Sequence, residues 1–356
     1  MNLDEILKIG VEKGASDVHL KVGSVPLFRI NADIVKSELE AITKEDFEAF
    51  IAQMNIDKFL LDKLTANRQA DIGYGVSGVG RFRVNLFHQR GTLAGVFRFI
   101  PFAIPSLKEL RLPDVIETIA MKPRGLILVT GITGSGKSTT LASMVDIINK
   151  NKRKHIITIE DPIEYLHPDI NSSVIQRQVG YDTVSFASGL KGALREDPDV
   201  ILVGEMRDRE TITTAIEAVE TGHLVMSTLH TKDATETINR IIASFDLNQQ
   251  HQIRLELSST IEAVISQRLI PKKDGNGMVP AVEIMIATEF VREAILDADK
   301  SINIKRSIEM NEDTYGTQTF DKSLMELYKA GEISLSKALE FASNPNDFEL
   351  KVRGIE

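Results

Sequence analysis

Along the first hundred residues, apolar side chains recur every three or four positions in some stretches and every second position in others. Leu3, Ile6, Leu7 and Val11 mark one face of a helix, and Thr43 followed by Asp46 has the form of a capping box ahead of Phe47, Phe50 and Ile51. Period-two runs lie around Val18 to Val22 and Val25 to Val35. The clearest pair is Arg81-Phe82-Arg83-Val84-Asn85-Leu86 with Ala94-Gly95-Val96-Phe97-Arg98-Phe99, where alternation sets Arg81, Arg83 and Asn85 on one face. Residues 1–100 therefore read as a small α+β domain. Pro101, Pro105 and Pro113, with intervening charges, break both periods, which makes 101–114 a linker.

A different rhythm starts near Val115 and defines a second domain, 115–356. It runs as strand Leu126–Thr130, helix to about Asn149, strand His155–Ile159, a polar loop, helix Phe186–Arg195, strand Val200–Val203, helix Glu210–Glu220 and strand Leu224–Leu229. Such alternation predicts the α/β class, with a mostly parallel sheet covered by helices. Beyond about Ala234 the pattern reads as mainly helical, through Leu255, Ile261, Leu269, Val291 and Ile295, then Phe320, Leu324 and Leu327.

The first strand of that domain runs into Gly131-Ile132-Thr133-Gly134-Ser135-Gly136-Lys137-Ser138, which fits G-x-x-x-x-G-K-S/T without a mismatch and is followed at once by a helix opening near Thr139. A phosphate-binding loop needs that setting: glycines turn backbone N–H groups toward one point, and the helix start aims its positive end there. Lys137 would reach the β- and γ-phosphates and Ser138 would offer its hydroxyl to Mg²⁺. In parallel sheets ligands lie beyond the carboxyl ends of the strands. Of the two acids flanking Val200–Val203, Asp199 and Glu205, which an extended chain separates by roughly 20 Å, only Glu205 can meet the phosphates. Glu160, Asp161 and Glu164 are delivered to the same edge by the strand before them, and acids facing a triphosphate imply a divalent cation. Glu164 is the preferred member of that group. His223 and His230 lie at opposite ends of one strand, about 23 Å apart if it is unbroken, so they cannot share a role. His230 has the carboxyl end and the γ-phosphate within reach, while a structural hydrogen bond suits His223. Charge building on a transferred phosphoryl group also calls for cations, for which Arg81, Arg83 and Arg98 on the first domain's sheet are candidates, ahead of Arg195, Arg207 and Arg209.

Composition narrows the classes. The 356 residues fit about two domains, and 42% hydrophobic content is ample for ordinary cores. The 42 Lys and Arg against 51 Asp and Glu leave a formal charge of −9 without long single-sign blocks, which disfavours a nucleic-acid partner. With no cysteine, disulfides and thiolate metal sites are excluded. Met1 leads into charged residues, and no apolar stretch approaches the ~18 residues of a membrane span, so a cytoplasmic location is expected.

Taken together, the glycine loop, Ile159 to Glu164, Gly204-Glu205-Met206-Arg207-Asp208 and Thr221 through Thr231 resemble the Walker A motif, Asp box, Walker B motif and His box of the secretion-ATPase superfamily. The resemblance is closest to PilT-like type IV pilus retraction ATPases, and extends to Gly14-Ala15-Ser16-Asp17-Val18-His19-Leu20 and Gly80-Arg81-Phe82-Arg83-Val84-Asn85. It implies a PAS-like N-terminal domain, a RecA-like ATPase domain and a homo-hexameric ring that binds ATP and Mg²⁺. It also implies a cytoplasmic motor on an inner-membrane platform protein, acting indirectly on pilin. Family correspondence sets the two acidic functions at Glu164 and Glu205, with the general base open between them. Retraction motors carry Ala-Ile-Arg-Asn-Leu-Ile-Arg-Glu after the core, whereas Phe290 to Asp297 keeps only Arg292 and Ile295. That departure raises a PilU-like accessory as an alternative. An assembly or secretion branch with its four-cysteine zinc site, a P-loop kinase or GTPase with an N-K-x-D segment, and a non-hydrolysing scaffold are the other readings.

Overall fold

The computed structural model describes residues 1–30, 33–100, 103–275, 277–297, 300 and 303–354. Pro101 and Phe102 of the expected linker, Asn31 and Ala32 of the second period-two run, and the last two residues of the second domain lie outside them. The chain forms two compact units, Met1–Ala103 with Pro162–Leu166, and Ile104–Asp161 with His167–Glu356.

In the first unit, α1 (Leu3–Glu12), β1 (Asp17–Lys21), β2 (Leu27–Ile30), β3 (Asp33–Lys36), α2 (Lys44–Gln53), α3 (Lys58–Asn67), β4 (Gln69–Val76), β5 (Gly80–Gln89) and β6 (Thr92–Ile100) follow in order. The strands make an antiparallel sheet ordered β3-β2-β1-β6-β5-β4. The Thr43–Asp46 capping box is present in full at the start of α2, and Leu3, Ile6 and Leu7 are the buried face of α1. Phe82, Val84 and Leu86 of β5 point into the core while Arg81, Arg83 and Asn85 stay half-buried on the other face, as the period-two pattern requires. Leu60 and Leu64, four residues apart on α3, close the same core.

The second unit contains α4 (Val115–Ala120), β7 (Gly125–Thr130), α5 (Lys137–Asn151), β8 (His155–Glu160), β9 (Ser173–Gln178), α6 (Phe186–Ala193), β10 (Val200–Val203), α7 (Arg209–Glu220), β11 (Leu224–Leu229), α8 (Ala234–Ala243), α9 (Gln250–Thr260), β12 (Ile261–Pro271), β13 (Met278–Ile286), α10 (Glu289–Leu296), α11 (Asn303–Met310), α12 (Glu312–Tyr315), α13 (Phe320–Lys329), α14 (Leu335–Phe341) and α15 (Pro345–Val352). Its sheet is ordered β13-β12-β7-β11-β10-β8-β9, and only the β12–β13 pairing is antiparallel. Apolar side chains fill both faces, one packed on α4 and α5 and the other on α6 to α9, which is why β7, β10 and β11 are buried at every position.

The expectation of a mainly helical chain after Ala234 is corrected by β12 and β13, which extend the sheet. A strand covered on both faces is apolar at successive positions, here Ile261, Ala263, Val264 and Ile265, and such a run matches a helical period as readily as an extended one. The polar loop expected after Glu164 likewise contains β9, an edge strand whose mixed Ser173–Gln178 sequence carries little alternation. Phe320, Leu324 and Phe348 of the last helices, with Ile333 between α13 and α14, form a separate cluster over Ile270 and Val279 at the far end of β12 and β13.

Candidate active site at the carboxyl edge of the parallel sheet

β7, β8, β10 and β11 run parallel, so their carboxyl ends deliver Gly131, Glu160, Gly204 and His230 to one edge. At Gly131 the chain turns with φ +144°, and a Cβ there would stand 2.4 Å from the Gln267 carbonyl oxygen and 2.5 Å from Ser135 Oγ. Only glycine fits that approach. Gly136, at φ +93°, opens α5 without any side-chain cap, leaving the first amides of the helix directed at the loop's concave side. Lys137 is 8% exposed, and its Nζ donates to the carbonyls of Gly131 at 2.8 Å and Ile132 at 3.0 Å. Thr133, Gly134 and Ser138 are exposed, Thr139 is half-buried, and Ser135 is buried.

Ser135 Oγ and Gln267 Oε1 are buried without a hydrogen-bond partner. Both line a cavity of about 230 Å³ bounded also by Gly136, Thr139, Thr140, Leu112, Leu269 and Val279. Gln267 is held there by its Nε2, which donates to Thr140 Oγ1 at 2.9 Å. A cradle of amides, a lysine at its lip and unsatisfied hydroxyl and carbonyl oxygens beside an apolar wall fit a phosphorylated ligand with a flat apolar part.

At the end of β10, Gly204 donates to the Ile159 carbonyl at 2.8 Å, its own carbonyl accepts from Thr228 Oγ1 at 2.6 Å, and Met206 donates to Thr228 at 3.1 Å. These bonds anchor Glu205 between two strands. Its carboxylate receives Arg207 Nε at 2.7 Å on one oxygen and faces His230 Nε2 at 3.3 Å on the other. The structure thus brings Glu205 and His230 together and adds Arg207. His223, at the other end of β11, lies with Nδ1 2.7 Å from the Ala218 carbonyl and 3.1 Å from Thr221 Oγ1, a structural bond at the end of α7. Asp199 ties the opposite edge, accepting His155 N–H at 2.9 Å and Lys154 Nζ at 2.6 Å.

Glu160, the last residue of β8, and Glu164 beyond it have separate surroundings. Glu160 accepts from Thr158 Oγ1 at 2.6 Å and Gln176 Nε2 at 3.1 Å. Glu164 belongs to the short segment that groups with the first unit, where it pairs with Arg83 at 3.7 Å. Arg81 lies over Gly73, whose missing side chain makes room for the guanidinium. Arg98 is committed to the buried Asp17 at 2.9 Å, and Arg209 to Asp246 at 2.8 Å, with Phe245 beneath it. Among the described residues no group of three or more His, Asp and Glu forms a metal cage. Mg²⁺ is commonly held by substrate phosphates plus one or two protein oxygens, which Ser138 and Glu205 can provide.

Sequence reading ranked Arg207 low, although its place two residues after Glu205 was a usable signal. Gln267 escapes a reading by period, because the apolar run of β12 fits a helix as well as a strand. Asn149 was missed as well: its side chain donates to the Pro168 carbonyl at 2.7 Å and accepts Ile170 N–H at 3.2 Å, clamping the loop that follows Glu164 onto α5. No local pattern marks it.

Residues 106–306 match the family described as Type II/IV secretion system protein. The chain is 44% identical to the "Type IV pilus retractation ATPase PilT" of Pseudomonas aeruginosa over 348 residues, 98% of this chain and 100% of that one. It is 37% identical to the "Type IV pilus ATPase PilU" of the same organism, covering 99% of this chain and 92% of that one. Its structure superposes with a TM-score of 0.89 on a crystal structure of the pilus retraction motor PilT with bound ADP, at 47% identity over 98% of this chain and 99% of that one.

Proposed function

The chain belongs to the Type II/IV secretion system protein family, and on that premise we propose that it is an ATP-hydrolysing motor powering retraction of a type IV pilus. The observation that carries the reading is the arrangement at one sheet edge of the glycine cradle, Lys137 and the Glu205–His230 pair. The reaction is ATP plus water to ADP plus phosphate. Backbone amides from Gly131 to Thr139, with Thr133, Gly134, Ser135 and Gly136 shaping the loop, would grip the phosphates. Lys137 would exchange its two carbonyl partners for phosphate oxygens, and the nucleoside would take the cavity beside Gln267. Mg²⁺ would be held by Ser138 with Glu205 and Glu164, in part through water, and would neutralise charge between the terminal phosphates. Glu205 would orient the attacking water, with Arg207 fixing its carboxylate and His230 reporting the γ-phosphate through the same carboxylate.

Arg81 and Arg83 would supply the further positive charge, from this subunit or a neighbour in a homo-hexamer. Arg81→Ala and Arg83→Ala are expected to lower the hydrolysis rate by about tenfold or more with a smaller change in nucleotide affinity, since charge on the transferred group exists only in the transition state. Rates equal to wild type in both variants would return these arginines to a solvated sheet face.

The motor would act at the cytoplasmic face of an inner-membrane platform protein and reach pilin through it; no helix among the described residues is long and apolar enough to cross a membrane. The higher identity to the retraction ATPase PilT, 44% against 37% to PilU, favours the motor over an accessory role. Within Phe290 to Asp297, Arg292 bonds Glu262 at 3.0 Å and Ile295 is buried, as are the substituted Val291 and Ala294, whereas Phe290 and Leu296 face outward. Cells lacking the chain should accumulate unretracted pili, and the wild-type chain but not Glu205→Gln should restore retraction. Normal retraction in the deletion strain would overturn the motor assignment.

A further inference from the structure

Glu283 has no part in the site above, yet it is an acid only 5% exposed. It stands on β13 opposite Ser266, and its Oε1 accepts the N–H of Ala234 at 2.9 Å in a buried bond. Ala234 opens α8, so its amide is among those a helix start leaves without an internal partner. Asp233 takes another, that of Glu236, at 2.7 Å. Between His230 and Ala234 the chain is a bonded turn: Thr231 Oγ1 lies 2.7 Å from Thr237 Oγ1, and Thr237 Oγ1 lies 2.7 Å from the Asp233 carbonyl. The outer end of that turn is fastened to Glu283.

β13 is itself fastened to the C-terminal helices. Val282 N–H donates to Ser323 Oγ at 3.1 Å, its carbonyl accepts Gln318 Nε2 at 3.1 Å, and Ile284 and Gln318 exchange backbone bonds at 2.8 and 3.1 Å. On β12, Arg268 sets its guanidinium 3.8 Å from the centre of the Phe320 ring and donates to the Phe341 carbonyl at 2.9 Å. Glu283 is therefore a point where a strand bonded to the C-terminal segment is hydrogen-bonded to the helix that follows His230.

We infer that Glu283 is a positioning residue for the hydrolysis proposed above, holding the first turn of α8, and through it His230, at a place set by the strand to which the C-terminal helices are bonded. This rests on the nucleotide reading of Glu205 and His230. A carboxylate at a helix start bonds the amide more strongly when ionised. Burial opposes ionisation and pushes this carboxyl up to about 7, with Ala234 N–H, Arg268 and Lys305 pulling down and Asp233 pushing up. The ionised grip on Ala234 consequently strengthens as pH rises through neutrality.

The test uses the full chain carrying Glu283→Ala or Glu283→Gln; the amide keeps an acceptor for Ala234 and removes the charge. Hydrogen exchange of the Ala234 to Thr237 amides should quicken about tenfold in Glu283→Ala and stay near wild type in Glu283→Gln. ATP turnover, followed from about pH 6 to about pH 8.5, should fall about tenfold in kcat for Glu283→Ala with KM within about twofold. Glu283→Gln should recover most of that loss and flatten the pH profile. Wild-type exchange and turnover in Glu283→Ala, or a wild-type pH profile in Glu283→Gln, would overturn the inference. Should the alanine variant fail to fold, the profile of the glutamine variant decides alone. Absence of turnover in the wild-type chain would count against the ATPase reading instead, and the exchange rates would still decide the grip.

Discussion

Lys137→Ala is expected to lower ATP turnover by about 100-fold or more while the chain keeps its fold. The ammonium group is a cation at the lip of the glycine cradle, and the carbonyls of Gly131 and Ile132 that accept from it belong to the same loop. Removing it takes away the charge that would meet the β- and γ-phosphates and leaves two loop carbonyls to find water. The second effect is local and costs about 1 kcal/mol per bond. Neither β7, buried throughout, nor α5, whose inner face packs through Leu141, Met144, Val145 and Ile148, depends on Lys137. Steady-state hydrolysis together with thermal unfolding separates the two effects. Arginine should fail to rescue, because a planar guanidinium cannot replace a compact ammonium in so close a turn. Wild-type turnover in the alanine variant would remove the phosphate site and the motor with it.

Glu205→Gln is expected to bind ATP and cut it about 100-fold or more slowly. The substitution keeps shape and alters chemistry. Both carboxylate oxygens are engaged, one by Arg207 and the other by His230. An amide can keep only one acceptor, so if Arg207 retains the oxygen, an NH₂ group faces His230, and one of the two candidate general bases can no longer take a proton. Single-turnover hydrolysis with a parallel measurement of retained nucleotide reads the step directly. Glu164→Gln belongs in the same experiment. Loss in Glu164→Gln with normal rates in Glu205→Gln would move the general base to the segment that pairs with Arg83, and normal rates in both would favour a scaffold that binds ATP without cutting it.

Some parts of this protein were legible because their causes are local. The capping box at Thr43 and Asp46 closes within one turn, the alternation along Arg81 to Leu86 follows from strand geometry, and the glycine loop sits between a strand and a helix that each declare themselves within about six residues. β10 and β11 matched their expected limits because a short apolar run bounded by a turn at each end has few other solutions. Where two periods fit equally well, reading failed. Ile261 to Ile265 is apolar enough for a buried helix or a doubly covered strand, and pairing with β7 selects the strand.

By itself the sequence determined the parallel α/β core and the strand, glycine turn and helix of the loop, and it set the expectations for the domain limits and for the roles of Glu205 and His230. All of these rest on patterns a few residues long. Tertiary structure decided which groups meet: Gln267 with Thr140 across 127 positions, Thr130 with Ser266 across 136, Arg83 with Glu164, Ala234 with Glu283. A side chain's period reports the face it occupies, whereas its partner is set by strand order and by burial, which leaves a polar group no water and so obliges it to find whatever group the fold has placed beside it.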